Sequence, residues 1–316
     1  MNAAEVPFFD GRRNEGTLAA ELEGAFRRVL AGGQYILGAE VEQLERSCAV
    51  ALGVRHAIGV SSGTDALLLA LLALEIGPGD EVVCPVYTFF ATAGAIARVG
   101  ARPVFVDVDP VYLHLDPSAV AEVITARTRA VMPVHLFGRC AELGPILALA
   151  RRHDLAVVED AAQALGARLG GVPAGTKGTF GCFSFFPTKT LGALGDAGLL
   201  VTDDDELAER ARTLRVHGAR PKYHHALVGA NLRMDALQAA FLSVKLPHLE
   251  AVIALRREVA ERYGKRLAAS GYGVPAERPG ERATYNPYVV RVPGAGRRDA
   301  LRAFLTGRGI GSEVYY

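Results

Sequence analysis

TFGCFSFFPTKTLGALGDAGLLVT, residues 179–202, is the stretch that decides the fold of this chain. It contains two short apolar runs, 180–186 and 198–202, joined by a turn that carries one lysine, Lys189. Burial between apolar strands disfavours the ammonium form and lowers the pKa of a lysine, which makes its amine a better nucleophile. Such a lysine suits an imine with a carbonyl compound. A lysine that extends from the turn into water is the competing interpretation.

The composition is that of an ordinary globular protein. Of 316 residues, 50% are apolar and 22% are charged. Lys and Arg number 35 against 34 Asp and Glu, so charge gives no case for a nucleic-acid or membrane partner. Neither CxxC nor HExxH spacing occurs, so the sequence predicts no metal site and no disulfide framework. Without an apolar signal core or a membrane-length apolar run, we expect a cytoplasmic protein.

Short apolar strands alternate with amphipathic helices through most of the chain. Seven strands are predicted, over 56–60, 81–86, 103–109, 130–135, 156–160, 180–186 and 198–202. Near-continuous apolar strands spaced by helices indicate an α/β sheet covered on both faces. Functional groups in such sheets collect where the strands end. This edge would hold Ser61–Asp65, Thr88–Thr92, His135, Asp160 and the Lys189 turn.

We divide the chain into a large domain over 1–247, which begins with an extended arm over 1–13, and a smaller domain over 248–316. The smaller domain contains a predicted helix over 248–269, a strand over 288–292 and a helix over 297–309. So few elements do not close a compact subdomain, and we therefore expect this domain to be truncated.

Two motifs carry candidate binding groups. SSGTDALLLAL places small residues before an apolar helix, whose free amides and dipole suit a phosphate; Ser62 or Thr64 could instead simply cap that helix. AVVEDAAQALGA ends a strand in Glu159 and Asp160, whose side chains should point to opposite faces. A buried carboxylate needs a cation, and the ring nitrogen of pyridoxal phosphate would be one. Alternatively, Asp160 caps a helix and Gln163 completes a capping box.

The motifs together resemble one family. SSGTDALLLAL, YTFFATAGAI, EDAAQALGA, FSFFPTKTLGALGDAG and GANLRMDALQAA are similar, in order and spacing, to those of the DegT/DnrJ/EryC1/StrS family. The resemblance covers about residues 5–316. It implies a sugar aminotransferase of pyridoxal-phosphate fold type I. The fold would be α/β and aspartate-aminotransferase-like, with a mostly parallel seven-stranded sheet between helices and a smaller α+β C-terminal domain.

The resemblance also implies how pyridoxal 5'-phosphate is held. Lys189 would bind it covalently and move the reacting proton, and Asp160 would pair with the ring nitrogen. Gln163 would lie near the ring hydroxyl, and Phe89 would stack on the ring, although such phenylalanines are often core residues. The phosphate would be held by Gly63, Thr64 and Ser184.

The remaining implications concern partners and substrates. Asn231 resembles a residue that reaches the phosphate from a neighbouring subunit, so a homodimer with shared sites is expected. The amino group would pass from L-glutamate to the keto group of a dTDP- or UDP-linked hexose. Candidate substrate contacts are Tyr315, in IGSEVYY, and two residues of the loop 216–235, His217 and Tyr223. Lys222, His224 and His225 share this loop, where solvated side chains are the alternative.

Two other functions stay open. One is a non-catalytic regulator that keeps the cofactor fold, against which the intact set of Lys189, Asp160 and Gln163 argues. The other is a different fold-type I enzyme that acts on amino acids, such as an amino-acid aminotransferase with a late arginine for the substrate carboxylate. Family members with a dehydratase activity carry histidine in place of the lysine, so Lys189 favours transamination.

Overall fold

A seven-stranded sheet with helices on both faces forms the centre of the computed structural model, which describes residues 5–221 and 223–316. Its strands, with those of a second small sheet, are β1 (His56–Val60), β2 (Glu81–Pro85), β3 (Arg102–Val106), β4 (Thr128–Val131), β5 (Ala156–Asp160), β6 (Arg168–Leu169), β7 (Val172–Pro173), β8 (Phe180–Ser184), β9 (Gly198–Thr202) and β10 (Glu281–Arg282). The helices are α1 (Gly11–Glu15), α2 (Ala19–Gly32), α3 (Ala39–Leu52), α4 (Gly63–Ala73), α5 (Ala91–Arg98), α6 (Pro117–Val123), α7 (Leu143–Arg152), α8 (Asp205–Leu214), α9 (Ala236–Lys245), α10 (Leu249–Leu267) and α11 (Arg297–Thr306).

The large sheet has the order β1-β9-β8-β5-β4-β2-β3. Strand β9 runs antiparallel to both of its neighbours, and every other neighbouring pair is parallel. The expected mostly parallel seven-stranded sheet is therefore confirmed. A second sheet, β10-β6-β7, is antiparallel and joins the C-terminal part of the chain to the loop after β5.

Strand β8 explains why the quoted stretch organises the fold. Phe180 and Cys182 pack into the core on the side of α4, whereas Phe183 and Phe185 pack on the side of α3 and α9. All four side chains are fully buried. Helix α4 is apolar around nearly its whole circumference, as expected of a helix enclosed by the core.

Three predicted segments differ from the structure. The arm is not extended throughout, because residues 11–13 begin α1 after Asp10, a residue type favoured just before a helix. Residues 161–167, where the capping alternative for Asp160 requires a helix, form turns. The predicted strand 288–292 does not form, since Pro287 and Pro293 flank it and only Arg291 pairs with another strand segment, at Gly273.

The stretch Ala236–Leu267 is long and apolar enough to cross a membrane by length and composition alone. It is interrupted by the 3-10 turn Leu246–His248, where the predicted domain boundary at residue 247 falls. Its first part, α9, is buried against α2 and α3, which is typical of a core helix.

Candidate active site

A cavity of about 520 Å³ lies where β1, β5 and β8 end. Most of the residues predicted to contact the cofactor line it together, namely Gly63, Thr64, Phe89, Asp160, Gln163, Ser184 and Lys189. Tyr315, predicted to contact substrate, also lines it. These residues come from segments as far apart in the chain as Gly63 and Tyr315, and the sheet edge brings them together as predicted for strand ends.

Lys189 lies in the turn between β8 and β9, where its backbone amide donates to the carbonyl of Phe186 at 2.8 Å. Gly192 closes this turn so tightly that a side chain there would lie 2.3 Å from the carbonyl oxygen of Pro187. Burial lowers the pKa of the Lys189 amine, and the negative charge of Asp160 only partly opposes this. In the described part of the chain the amine forms no hydrogen bond, so it is available for chemistry.

Asp160 is the last residue of β5, and its carboxylate is buried at the floor of the cavity. Oδ2 accepts a 2.8 Å hydrogen bond from the hydroxyl of Thr92, and Oδ1 accepts one of 3.2 Å from the amide of Ala162. Burial raises the pKa of Asp160, although these bonds and the charge of Lys189 favour ionisation. Because no helix follows Asp160, the alternative that it is a helix cap is wrong.

Glu159 points away from the cavity, as strand alternation predicts. Its carboxylate accepts the backbone amides of Gly175 at 2.8 Å, Lys177 at 2.6 Å and Gly178 at 2.5 Å. Nε2 of His135 donates to it at 2.7 Å, since Nδ1 of the same ring accepts the amide of Ala141. Burial alone would raise the pKa of Glu159. The hydrogen bonds and His135 outweigh burial, so the pKa is lowered. The Glu159–His135 pair therefore holds the end of β5 in place on the face opposite to the Asp160 side chain.

The N-terminus of α4 approaches the end of β8 closely. A side chain at Gly63 would lie 2.6 Å from Cβ of Ser184, and one at Gly198 would lie 2.4 Å from the backbone of Ser62. The first amides of a helix have no partner within it. Ser62 does cap α4, accepting the amide of Asp65 at 3.0 Å, so the capping interpretation of this motif is correct for Ser62. Capping leaves Gly63 and Thr64 facing the cavity.

Gln163 also lines the cavity and is held there by two hydrogen bonds. Its Oε1 accepts the amide of Phe137 at 2.8 Å, and its Nε2 donates to the hydroxyl of Tyr316 at 2.6 Å. The Tyr316 ring stacks on Phe137 and lies 5.9 Å from Phe89, centroid to centroid. This wall therefore presents flat aromatic faces beside a side-chain amide.

The other predicted site residues do not line the cavity. Asn231 is exposed, and its Oδ1 accepts a hydrogen bond of 2.8 Å from Nε of Arg233. His217 and Tyr223 are exposed in the loop that follows α8. Lys222 lies outside the described residues. The chain alone does not bring these side chains to Lys189.

Sequence reasoning missed two contributors. The sequence predicts Thr92 at the sheet edge but does not identify its partner. The available signal was Thr88, four residues earlier, whose hydroxyl is 2.8 Å from that of Thr92. Arg256, from α10, also lines the cavity. Nothing in the pattern of α10 separates Arg256 from its other arginines.

The donor set of the cavity suits pyridoxal 5'-phosphate. A buried carboxylate on two hydrogen bonds, both from neutral groups, matches a cationic ring nitrogen. A partly desolvated lysine matches an aldehyde, and free helix amides beside a serine match a phosphate. A flat aromatic wall matches the ring itself.

The sequence profile of the DegT/DnrJ/EryC1/StrS aminotransferase family matches residues 17–316. The chain belongs to this family. It is a pyridoxal-phosphate-dependent aminotransferase, and the resemblance described from the motifs is confirmed.

Three relatives illustrate the range of the family. A protein of Geobacillus stearothermophilus named a pleiotropic regulatory protein is 46% identical over 98% of this chain and 84% of its own. The UDP-N-acetyl-3-dehydro-alpha-D-glucosamine 3-aminotransferase of Acidithiobacillus ferrooxidans is 43% identical over 98% and 84%. The crystal structure of DesV from Streptomyces venezuelae, in complex with a ketimine intermediate, superposes with a TM-score of 0.96. DesV is 44% identical, with 99% of this chain and 84% of that chain covered.

Proposed function

We propose that the chain transfers an amino group from L-glutamate to the keto group of a nucleotide-linked hexose, carrying either UDP or dTDP. The observation that carries this proposal is the single cavity that holds Lys189 and Asp160 in a chain 43% identical to a UDP-sugar aminotransferase. The relative named as a regulator does not favour a regulatory function here. A regulator has no need of a desolvated amine beside a buried carboxylate.

Each residue of the cavity would have one task. When bound, pyridoxal phosphate supplies an electron sink and carries the amino group between the two substrates. Lys189, whose burial favours the neutral amine, would accept and return the reacting proton. Asp160 would hold the ring nitrogen in its protonated form, and Thr92 would keep Asp160 in place. Gln163 would donate a hydrogen bond to the ring hydroxyl.

The phosphate would lie at the N-terminus of α4. Gly63 and Thr64 would contribute amides, and Ser184 would contribute its hydroxyl, while Phe89 would cover the ring. We further propose that the protein is a cytoplasmic homodimer. The burial of α9 within the fold supports the cytoplasmic location. Asn231, which is exposed and does not line its own cavity, supports the dimer. In such a dimer Asn231, His217 and Tyr223 would enter the partner's site, and Tyr315 would contact substrate in its own.

Absorption spectroscopy tests the proposal. Purified protein with pyridoxal phosphate should show the visible band of the lysine-bound cofactor, and L-glutamate should convert it to the amine form. Lys189→Ala should abolish both the band and turnover. A UDP- or dTDP-linked keto-hexose should then restore the first spectrum. A wild type whose band does not respond to any amino donor would favour the regulator.

A further inference from the structure

Arg256 is a half-buried cation that has no acidic partner among the residues that the structure describes. It lines the cavity that holds Lys189. Within the described residues its one hydrogen bond is a long contact of 3.4 Å from Nη1 to the carbonyl of Tyr285. No carboxylate of the described residues pairs with it. Burial lowers the pKa of its guanidinium, and no acidic neighbour opposes that shift. A desolvated guanidinium of this kind is costly unless an anion joins it.

The other arginines of the same helix are arranged differently. Arg257 pairs with Glu277 and also donates to the carbonyl of Ala283 at 2.9 Å. Arg262 and Arg266 are exposed to water. Of the arginines on α10, Arg256 is the one that lines the cavity, and it is half-buried without an acidic partner among the described residues. Its position is therefore not explained by the stability of the helix.

Two further polar groups on this wall are unsatisfied. Asn286, which follows the carbonyl that Arg256 contacts, is 6% exposed, and its side-chain amide forms no hydrogen bond with the described residues. The hydroxyl of Tyr288 is likewise buried without a partner in the described ranges, 5–221 and 223–316. Both side chains line the cavity. Each of the three groups can donate a hydrogen bond, so the wall is built to receive oxygen acceptors.

We propose that Arg256 and Asn286, supported by Tyr288, form the subsite that binds an oxyanion of a substrate. The chemistry is recognition of carboxylate or phosphate oxygens by a planar guanidinium. The proposal rests on the aminotransferase function proposed above, which supplies two sources of such oxygens. These are the carboxylate of the amino donor and the diphosphate of the nucleotide-linked sugar.

The donors of the subsite belong to different elements from the donors of the proposed phosphate site. Arg256, Asn286 and Tyr288 belong to the C-terminal part of the chain, whereas Gly63, Thr64 and Ser184 belong to α4 and β8. The two groups of donors therefore lie on different elements around one cavity, with Lys189 and Asp160 also on its wall. An oxyanion at Arg256 would fix one end of a substrate while its reacting atom remains in the same cavity as Lys189.

Binding to the cofactor-loaded protein tests the subsite without turnover. Maleate, an unreactive dicarboxylate, and UDP are titrated separately by isothermal calorimetry into wild type and Arg256→Gln. We expect Arg256→Gln to weaken one of these probes by about ten- to hundredfold. The matched control is Arg262→Gln, the same substitution at an exposed position of the same helix, which should bind both probes as the wild type does.

Each outcome has a defined meaning. Weaker maleate binding assigns the subsite to the amino donor, and weaker UDP binding assigns it to the nucleotide diphosphate. Unchanged binding of both probes in Arg256→Gln overturns the proposal. Asn286→Ala and Arg256→Lys provide the same readout should Arg256→Gln fail to fold. Spectra of the wild type with L-glutamate are recorded in parallel, so that failure of the proposed function is seen separately from failure of the subsite.

Discussion

The hydroxyl of Thr92 donates a hydrogen bond of 2.8 Å to Oδ2 of Asp160, and both side chains are buried beneath the cavity. The Thr92 hydroxyl is in turn 2.8 Å from that of Thr88. A donor at this position stabilises the charged form of a carboxylate that burial would otherwise neutralise. Helix α5 thus helps to set the charge that Asp160 would present to the cofactor.

Thr92→Val removes this donor while keeping the size and shape of the side chain. The pKa of Asp160 should rise further, because burial then acts with less opposition. Since a hydrogen bond to a charged group is typically worth about 2 kcal/mol, we expect the dissociation constant of pyridoxal phosphate to increase by at least about tenfold. Titration of cofactor-free protein by fluorescence measures this. Thr92→Ser should bind as the wild type does, and a loss in that variant too would contradict the assigned role.

Asp160→Asn separates stability from catalysis. Burial raises the pKa of Asp160 above its unfolded value, so the fold favours the protonated carboxyl. Cofactor-free wild type should therefore lose stability as the pH rises through and above the unfolded pKa of about 4. Asparagine does not ionise. The free energy of unfolding of the variant should therefore exceed that of the wild type by on the order of 1 kcal/mol at pH 8, and the two should differ little at pH 4.

Thermal melts of the two cofactor-free proteins at both pH values measure this difference. In single-turnover experiments with L-glutamate, the same variant should react about a hundredfold more slowly or worse, because the ring nitrogen loses its anionic partner. Wild-type rates in Asp160→Asn would refute the role of Asp160, whatever the melts show.

Much of this site follows from the sequence because it lies on the sheet. The bounds of β1, β5 and β9 were predicted to the residue, and alternation along β5 correctly separated Asp160 from Glu159. These features depend on local apolar runs and on a period of two. The sheet edge then follows from the topology of α/β folds.

The rest depends on contacts between distant segments. The turns after Asp160 are held by Gln163, which bonds to Phe137 and Tyr316, and no local pattern encodes those partners. The segment 288–292 has the composition of a strand but lacks a partner strand along its length. Arg256 is one of several arginines on an amphipathic helix, and only the tertiary structure shows which one faces the cavity.

Gly63→Ala tests the close approach of α4 to β8. The added methyl group would lie 2.6 Å from Cβ of Ser184, so the helix end or the strand end must shift. We expect a loss of pyridoxal phosphate affinity of about tenfold or more, because the helix amides would then be displaced from the proposed phosphate position. Equilibrium titration of the cofactor-free protein with pyridoxal phosphate measures this affinity.

The matched control is Gly24→Ala, within α2, where nothing lies within 4 Å of the new methyl group. That variant should bind the cofactor normally and be more stable by about 0.5–1 kcal/mol, since alanine favours helix more than glycine does. Equal cofactor affinity in both variants would show that the approach of α4 to β8 is not needed for binding.

Subunit complementation tests the proposed homodimer. If Asn231 enters the site of a partner subunit, Lys189→Ala and Asn231→Ala should each have little activity as pure proteins. When the two variants are refolded together, half of the dimers would be hybrids, each with one site that has both residues intact. Activity should therefore recover to about a quarter of the wild type.

Lys189→Ala mixed with Asp160→Asn is the control. Both residues line the same chain's cavity, so every site of a hybrid lacks one of the two.

In that control each hybrid keeps one Lys189 and one Asp160, but on different chains and therefore in different sites, and no recovery is expected. Recovery in the first mixture alone places Asn231 and Lys189 of one site on different subunits. Asn231 is exposed, bonds to Arg233 and does not line its own cavity, which is the reason to expect that result. Absence of recovery in a mixture shown to contain hybrids would mean that the sites are not shared through Asn231.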